Sequence, residues 1–189
     1  MEVVLVRHGE TEWSRDLRHT GRTDVPLTEA GRREAERLRT ALAGRSFARV
    51  LTSPLERAEE TCRLAGLGER AERMDALLEW DYGEYEGITT KQIRESRPGW
   101  FLWRDGCPGG ETAADVGARV NPLVDELAHL DGDVALFSHG HLLRVLTARW
   151  LELPPQCGAL FALGTGTLSI LGYERDVRVI RRWNAPVTG

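Results

Sequence analysis

The chain reads as an α/β protein of three layers, with a mainly parallel central sheet and helices on both faces. Three observations predict this. Short, continuously apolar segments, Val3-Val4-Leu5-Val6 and Val134-Ala135-Leu136-Phe137, have the character of strands buried on both faces. They alternate with amphipathic helical stretches, the pattern of strands that need helical crossovers. Finally, 189 residues, 41% apolar and 29% charged, suit one domain over residues 1–189 with a sizeable core.

The elements follow in order. Residues 2–7 form the first buried strand. Thr28 opens a helix whose apolar positions include Ala35, Leu38 and Leu42, and Gly44 stops it. Residues 49–52 (RVLT) make a short strand. Ser53-Pro54-Leu55-Glu56 then reads as a helix start, with Ser as N-cap, Pro first and Glu closing a capping box. Residues 71–90 are aromatic and punctuated by glycine, mostly loop, with a short helix at 89–96 and an irregular excursion at 98–110. A longer helix begins near Thr112, with Val116, Val120, Leu123, Leu127 and Leu130 on one face and a kink expected at Pro122. Residues 133–138 (DVALFS) are a second buried strand. Residues 140–153 form an apolar helix ended by Pro154-Pro155, and 167–172 with 177–182 form a closing edge pair.

Composition narrows the function. A net charge of −4 without a basic excess speaks against nucleic acid as partner. No apolar run approaches the roughly 20 residues that span a bilayer, so no membrane partner is expected. The three cysteines, Cys62, Cys107 and Cys157, form no CxxC pair and read as free thiols. No signal peptide precedes the first strand, and a cytoplasmic location is expected.

The chemistry gathers at three strand ends. Val6 leads into Arg7-His8-Gly9, Thr52 into Ser53-Pro54-Leu55-Glu56-Arg57, and Phe137 into Ser138-His139-Gly140-His141. Ligands of open α/β sheets bind beyond the carboxyl ends of strands, where helix N-termini favour anions. Arg7, Arg57, His8 and His139 can therefore meet around one anion. Singly, each of these side chains is more often an ordinary loop residue; it is their equivalent placement that carries the reading.

These segments resemble, block by block, the histidine phosphatase superfamily, which includes the cofactor-dependent phosphoglycerate mutases. Arg7-His8-Gly9-Glu10-Thr11 is similar to the signature block. Gly21-x-x-Asp24-x-Pro26-Leu27-Thr28-x-x-Gly31, Ser53-Pro54-Leu55-x-Arg57-Ala58-x-x-Thr61, Glu79-x-x-x-Gly83-x-x-Glu86-Gly87 and Ser138-His139-Gly140 follow in the family's order. The stretch Glu79 to Gly87, with Trp103-Arg104-Asp105-Gly106-Cys107 and His139-Gly140-His141-x-x-Arg144, is nearest to the acid phosphatase and sedoheptulose-bisphosphatase-like branch.

The resemblance implies a metal-independent phosphomonoester hydrolase, without cofactor, acting on a small phosphorylated substrate through a phosphohistidine. His8 would be the nucleophile, its second ring nitrogen donating to a backbone carbonyl. Arg7, Arg57 and His139 would hold the phosphoryl oxygens, with Ser14, Thr20, Gly21 and Gly140 nearby. Glu79 would be the general acid, and Trp80, Tyr82 and Tyr85 give it aromatic neighbours. Arg144 and His141 would reach the far end of the substrate; the rival reading of Arg144 is a buried structural ion pair. Ser14 stands where the mutases usually have Asn, and His19 where the bisphosphatases have Tyr. The family also allows a homodimer.

Three other readings compete. In a mutase a second alcohol, not water, takes the phosphoryl group; Glu79 and His139 are only 60 positions apart, too short for the insertion that covers mutase sites, which favours hydrolysis. A non-catalytic phosphate-binding module would not need both His8 and Glu79. A zinc hydrolase is disfavoured by the poor HGH spacing, the absence of HExxH and the neighbouring arginines, and a serine hydrolase by the lack of GxSxG.

Overall fold

The structure is a computed structural model and describes residues 1–187. In chain order its elements are β1 (Val3–Arg7), a single turn α1 (Glu12–Arg15), α2 (Glu29–Leu42), β2 (Arg49–Thr52), α3 (Glu56–Leu64) and β3 (Ala71–Arg73). There follow α4 (Thr90–Ser96), a single turn α5 (Leu102–Asp105), α6 (Ala113–His129), β4 (Val134–Ser138), α7 (Gly140–Trp150), β5 (Thr167–Glu174) and β6 (Val177–Pro186). The six strands form one sheet in the order β3-β2-β4-β1-β5-β6. β3, β2, β4 and β1 run parallel, and β5 and β6 close one edge antiparallel.

The period-2 geometry of the strands divides the core between two faces. Val3, Leu5, Leu51, Val134 and Leu136 pack on one side with Val116, Val120, Leu123 and Leu127 of α6 and Leu142, Leu146 and Trp150 of α7. Val4, Val6, Val50, Ala135 and Phe137 pack on the other with Leu38 and Leu42 of α2 and Cys62 of α3. The expected three layers and mainly parallel sheet are present. Each buried Val or Leu contributes about 1.5–3 kcal/mol relative to exposure, enough to fix strand register.

Several local readings change. α3 starts at Glu56, not at Pro54, and its N-cap Leu55 makes no side-chain hydrogen bond. Ser53 does not cap the helix, because its hydroxyl is drawn to His139. The free helix end is met from outside, where Asp24 accepts the Glu56 N–H. β3 lies inside the stretch read as loop; its three residues are at least partly exposed and carry no apolar run. The helix from Thr112 forms as expected, with a capping box between Thr112 and Asp115, and continues through Pro122. The last strand extends to Pro186. Among the described residues no helix is long and apolar enough to cross a membrane.

Candidate active site

Parallel pairing of β1 with β4 sets Arg7 opposite Ser138, so the next residues, His8 and His139, leave the sheet side by side. Their ring centroids are 5.2 Å apart. The His8 loop lies directly under the start of α2. A Cβ on Gly9 would fall 2.2 Å from the Gly31 carbonyl oxygen, and one on Gly31 would fall 2.1 Å from the Glu10 oxygen. Only glycine at both positions allows this approach.

His8 is buried, and its Nδ1 lies 2.8 Å from the Gly9 carbonyl oxygen. A carbonyl only accepts, so Nδ1 carries the proton and Nε2 keeps its lone pair. Burial, and then the cations Arg57 and Arg7, push the His8 pKa well below its ordinary 6.5. The imidazole is therefore neutral and nucleophilic at Nε2 near neutral pH. The expected backbone contact of the second nitrogen is present.

Arg57 and His139 form the wall behind His8, both with no exposed surface. Arg57 Nε donates to His139 Nδ1 at 3.1 Å, and His139 Nε2 lies 2.7 Å from Ser53 Oγ. Arg57 Nη1 donates to the Thr23 carbonyl, and Nη2 to those of Gly21 and Thr20. Of five guanidinium N–H groups, this leaves one on Nη1 without a protein partner. No carboxylate lies within ion-pair distance of Arg7, Arg57 or Arg144 among the described residues, so their charges are unpaired.

Arg7 gives the clearest sign of an anion. Its Nη1 donates to the Leu163 carbonyl, while its Nε is buried without any hydrogen-bond partner among the described residues. An unmet buried donor on a cation is costly unless a ligand completes it. Gly140, at the start of α7, lets the guanidinium lie close: a Cβ there would be 3.2 Å from Arg7 Cζ and Nε.

Glu79 is buried at 4% exposure. Its Oε1 accepts the N–H groups of Trp80 (2.9 Å) and Leu142 (2.8 Å), and its Oε2 accepts that of His141 (3.1 Å). Two of these donors are first-turn amides of α7. A carboxylate oxygen has two lone pairs, so Oε1 is filled and Oε2 retains one open site. The loop carrying Glu79 is braced by Arg119, which donates to the carbonyls of Ala76, Leu78 and Glu79 and pairs with Glu111. Sequence reasoning missed Arg119, because no local pattern links a mid-helix arginine to a loop some 40 residues earlier.

One cleft of about 640 Å³ runs from His8 outward. Arg7, His8, Ser14, Thr20, Glu79, Gly140 and Arg144 line it. Arg57, His139 and Gly21 do not. The Gly21 N–H is bound to Glu86 Oε1 at 2.9 Å, which corrects the expectation that it faces a phosphate. Gly21 instead serves through its carbonyl, which holds Arg57. The Ser14 hydroxyl closes a capping box with Thr11, and that of Thr20 donates to the Arg18 carbonyl. Among the described residues Arg144 is in no ion pair; it lies 4.6 Å over the Trp103 ring and donates to the carbonyls of Gly158 and Ala159. His141 meets the Tyr82 hydroxyl at 2.6 Å, and His19 packs tilted against Tyr82 and edge-to-face with Trp100. No group of three or more His, Cys, Asp or Glu could hold a metal among the described residues.

Comparison with known proteins shows the family. Residues 3–186 match the model of the histidine phosphatase superfamily, branch 1. An acid phosphatase of Mycobacterium tuberculosis is 45% identical over 185 residues, covering 93% of this chain and 88% of that one. A sedoheptulose 1,7-bisphosphatase of Saccharomyces cerevisiae is 35% identical over 187 residues, covering 81% and 68%. The solved structure of the Rv3214 product of Mycobacterium tuberculosis superposes with a TM-score of 0.93 at 42% identity, covering 99% and 98%. A match over residues 3–186 and a phosphatase relative 45% identical over 93% of the chain show that it belongs to branch 1 of the histidine phosphatase superfamily and is a histidine phosphatase.

Proposed function

We propose that the chain hydrolyses small phosphorylated metabolites, with His8 Nε2 as nucleophile and Glu79 Oε2 as proton donor to the leaving alcohol. The observation that carries this is the tautomer of His8: Nδ1–H bound to the Gly9 carbonyl leaves the Nε2 lone pair free in a cleft that also holds Arg7 and Glu79. Nε2 attacks phosphorus, the bond from phosphorus to the ester oxygen breaks, and that oxygen takes the proton from Glu79. Water then attacks the phosphohistidine, gives its proton to Glu79 and releases phosphate. Arg7 Nε supplies a donor to the phosphoryl oxygens, and Arg57, buried in the wall behind His8, favours the anion by its charge. His139 holds Arg57 rather than the anion, since both its ring nitrogens are engaged.

Phosphate alone does not fill the cleft. Trp100, Phe101 and Trp103 also line it, with Arg18, Lys91 and Arg94, so the alcohol half of the substrate is of metabolite size. The free thiols of Cys62, Cys107 and Cys157 fit a reducing cytoplasm.

Rapid quench with radiolabelled aryl phosphate tests the reading. Acid-labile label on His8, abolished in His8→Ala with the fold intact, is expected; label on another residue overturns it. Glu79→Gln should slow poor leaving groups by about 10²–10⁴-fold and good ones much less. Transfer of label to an added alcohol in preference to water would favour mutase chemistry instead.

A further inference from the structure

Glu34 is a helix carboxylate with an unusual partner. It sits in the second turn of α2, yet no cation lies within ion-pair distance of it among the described residues. Its Oε2 instead accepts the backbone N–H of Glu10 at 2.9 Å. That N–H belongs to the peptide group joining Gly9 to Glu10. The carbonyl of the same peptide group accepts the His8 Nδ1–H at 2.8 Å. One planar amide thus stands between the nucleophile's ring and a carboxylate.

The surroundings keep this chain in place. Gly9 and Gly31 bring α2 against the loop, and Thr28, which caps α2, also donates from its N–H to the Glu10 carbonyl at 2.9 Å. The Gly9 N–H donates to Thr61 Oγ1, fixing the loop on its other side. Gly166 closes over Glu34: its N–H donates to the His8 carbonyl at 3.1 Å, and a Cβ there would come within 2.6 Å of Glu34 Cβ.

Building on the proposed phosphohistidine chemistry, we infer that Glu34 is a positioning residue for His8, acting through the Gly9–Glu10 peptide group. The imidazole is neutral before attack. Once Nε2 bonds to phosphorus, with loss of the alkoxide, the ring retains its Nδ1 proton and becomes cationic. A carboxylate at the far end of the amide polarises it, making the Gly9 oxygen a stronger acceptor as that charge develops. Hydrogen bonds in series strengthen one another in this way. The arrangement does the work of a carboxylate placed directly on a histidine, with a peptide bond interposed. Direct contact would raise the proton affinity of the resting ring further than the interposed amide does.

Glu34→Gln separates charge from shape, because the Gln carbonyl can still accept the Glu10 N–H. The measurements are the NMR resonance of the His8 Nδ1 proton and the turnover of an aryl phosphate. The expected result is an upfield shift of that resonance, a fall in kcat of about ten-fold, and a KM that does not rise. Burial lowers the Arg7 pKa, and the negative charge of Glu34 is only a minor opposing influence, so its removal leaves Arg7 at least as attractive to an anion and gives no reason for KM to increase. Glu34→Asp, which withdraws the carboxylate by one methylene, should reproduce the loss and serves if the Gln variant does not fold. An unmoved Nδ1 resonance overturns the inference whatever kcat does, as does a shifted resonance with unchanged kcat. If the wild-type protein forms no phosphohistidine, the proposed function fails, while the resonance still reports whether Glu34 polarises His8.

Discussion

Arg57 donates from Nε to Nδ1 of His139 at 3.1 Å. A guanidinium has no acceptor, so His139 must be neutral and hold its proton on Nε2, where Ser53 Oγ accepts it at 2.7 Å. Burial first, and Arg57 second, push the His139 pKa well below its ordinary value, in agreement with that tautomer. Ser53→Ala would strand a buried N–H and loosen the Arg57 wall. An unmet buried donor costs about 1–3 kcal/mol. Urea unfolding at neutral pH should show a loss of that size; an unchanged midpoint would show that His139 has another partner.

Acid should unfold this protein through its histidines. His8, His19, His139 and His141 are all pushed below 6.5, burial being the largest cause in each. For His19 the value is about 4, and its exposure is 9%. Above 6.5 neither folded nor unfolded chain takes up a proton at this site. Below 6.5 the unfolded chain does and the folded chain does not, so stability is lost as pH falls from 6.5 towards 4. Over that window His19 alone accounts for about 3 kcal/mol. In His19→Phe, unfolding free energy measured at successive pH values should fall less steeply there. An identical slope would mean that His19 titrates normally.

Arg7 should govern anion binding. Its Nε has no protein partner, so a phosphate analogue such as vanadate gains a buried, charge-assisted hydrogen bond there. At a hundred times its Kd, vanadate should stabilise the folded protein by about 2.7 kcal/mol, seen as a rise in Tm. Arg7→Lys removes the planar fork and should lose most of that rise, with kcat reduced about 10²–10³-fold. An undiminished Tm shift in the variant would place the anion elsewhere.

How much of this was legible in the sequence follows from the range of the forces involved. Val3 to Val6 and Val134 to Phe137 declared buried strands by themselves, and their parallel pairing then had to bring His8 level with His139. β3 escaped notice because Ala71-Glu72-Arg73, two of them charged, carry no periodic signal; it exists only because β2 offers an edge. The fate of Ser53 and Gly21 was equally hidden. Ser53 has a local use that the sequence displays, a helix cap, and the resemblance sets Gly21 near the phosphoryl group, yet each is claimed by a distant side chain, His139 or Glu86. Glu34 looked like any exposed charge on α2, and only the close approach at Gly9 and Gly31 makes it a neighbour of the nucleophile's loop.

Arg119 offers a test of how Glu79 is held. It lies on α6, pairs with Glu111 at 2.9 Å and donates to three carbonyls of the segment leading to Glu79. Glu111 in turn accepts the Asp81 N–H, so the loop is gripped on both sides of the acid. Arg119→Met keeps most of the aliphatic stem and leaves those carbonyls without a donor. The Glu111 carboxylate, only 17% exposed, also loses its nearer cation and keeps only Arg22 at 3.9 Å. Breaking so buried a pair costs up to about 3–5 kcal/mol, reduced here by partial access to water. Unfolding should therefore show a loss of about 2–3 kcal/mol. At temperatures where the variant remains folded, kcat for alkyl phosphates should fall more than kcat for aryl phosphates, because an ill-placed Glu79 matters most when the leaving group needs its proton. Equal losses for the two substrate classes would mean that Arg119 supports the fold without setting the position of Glu79.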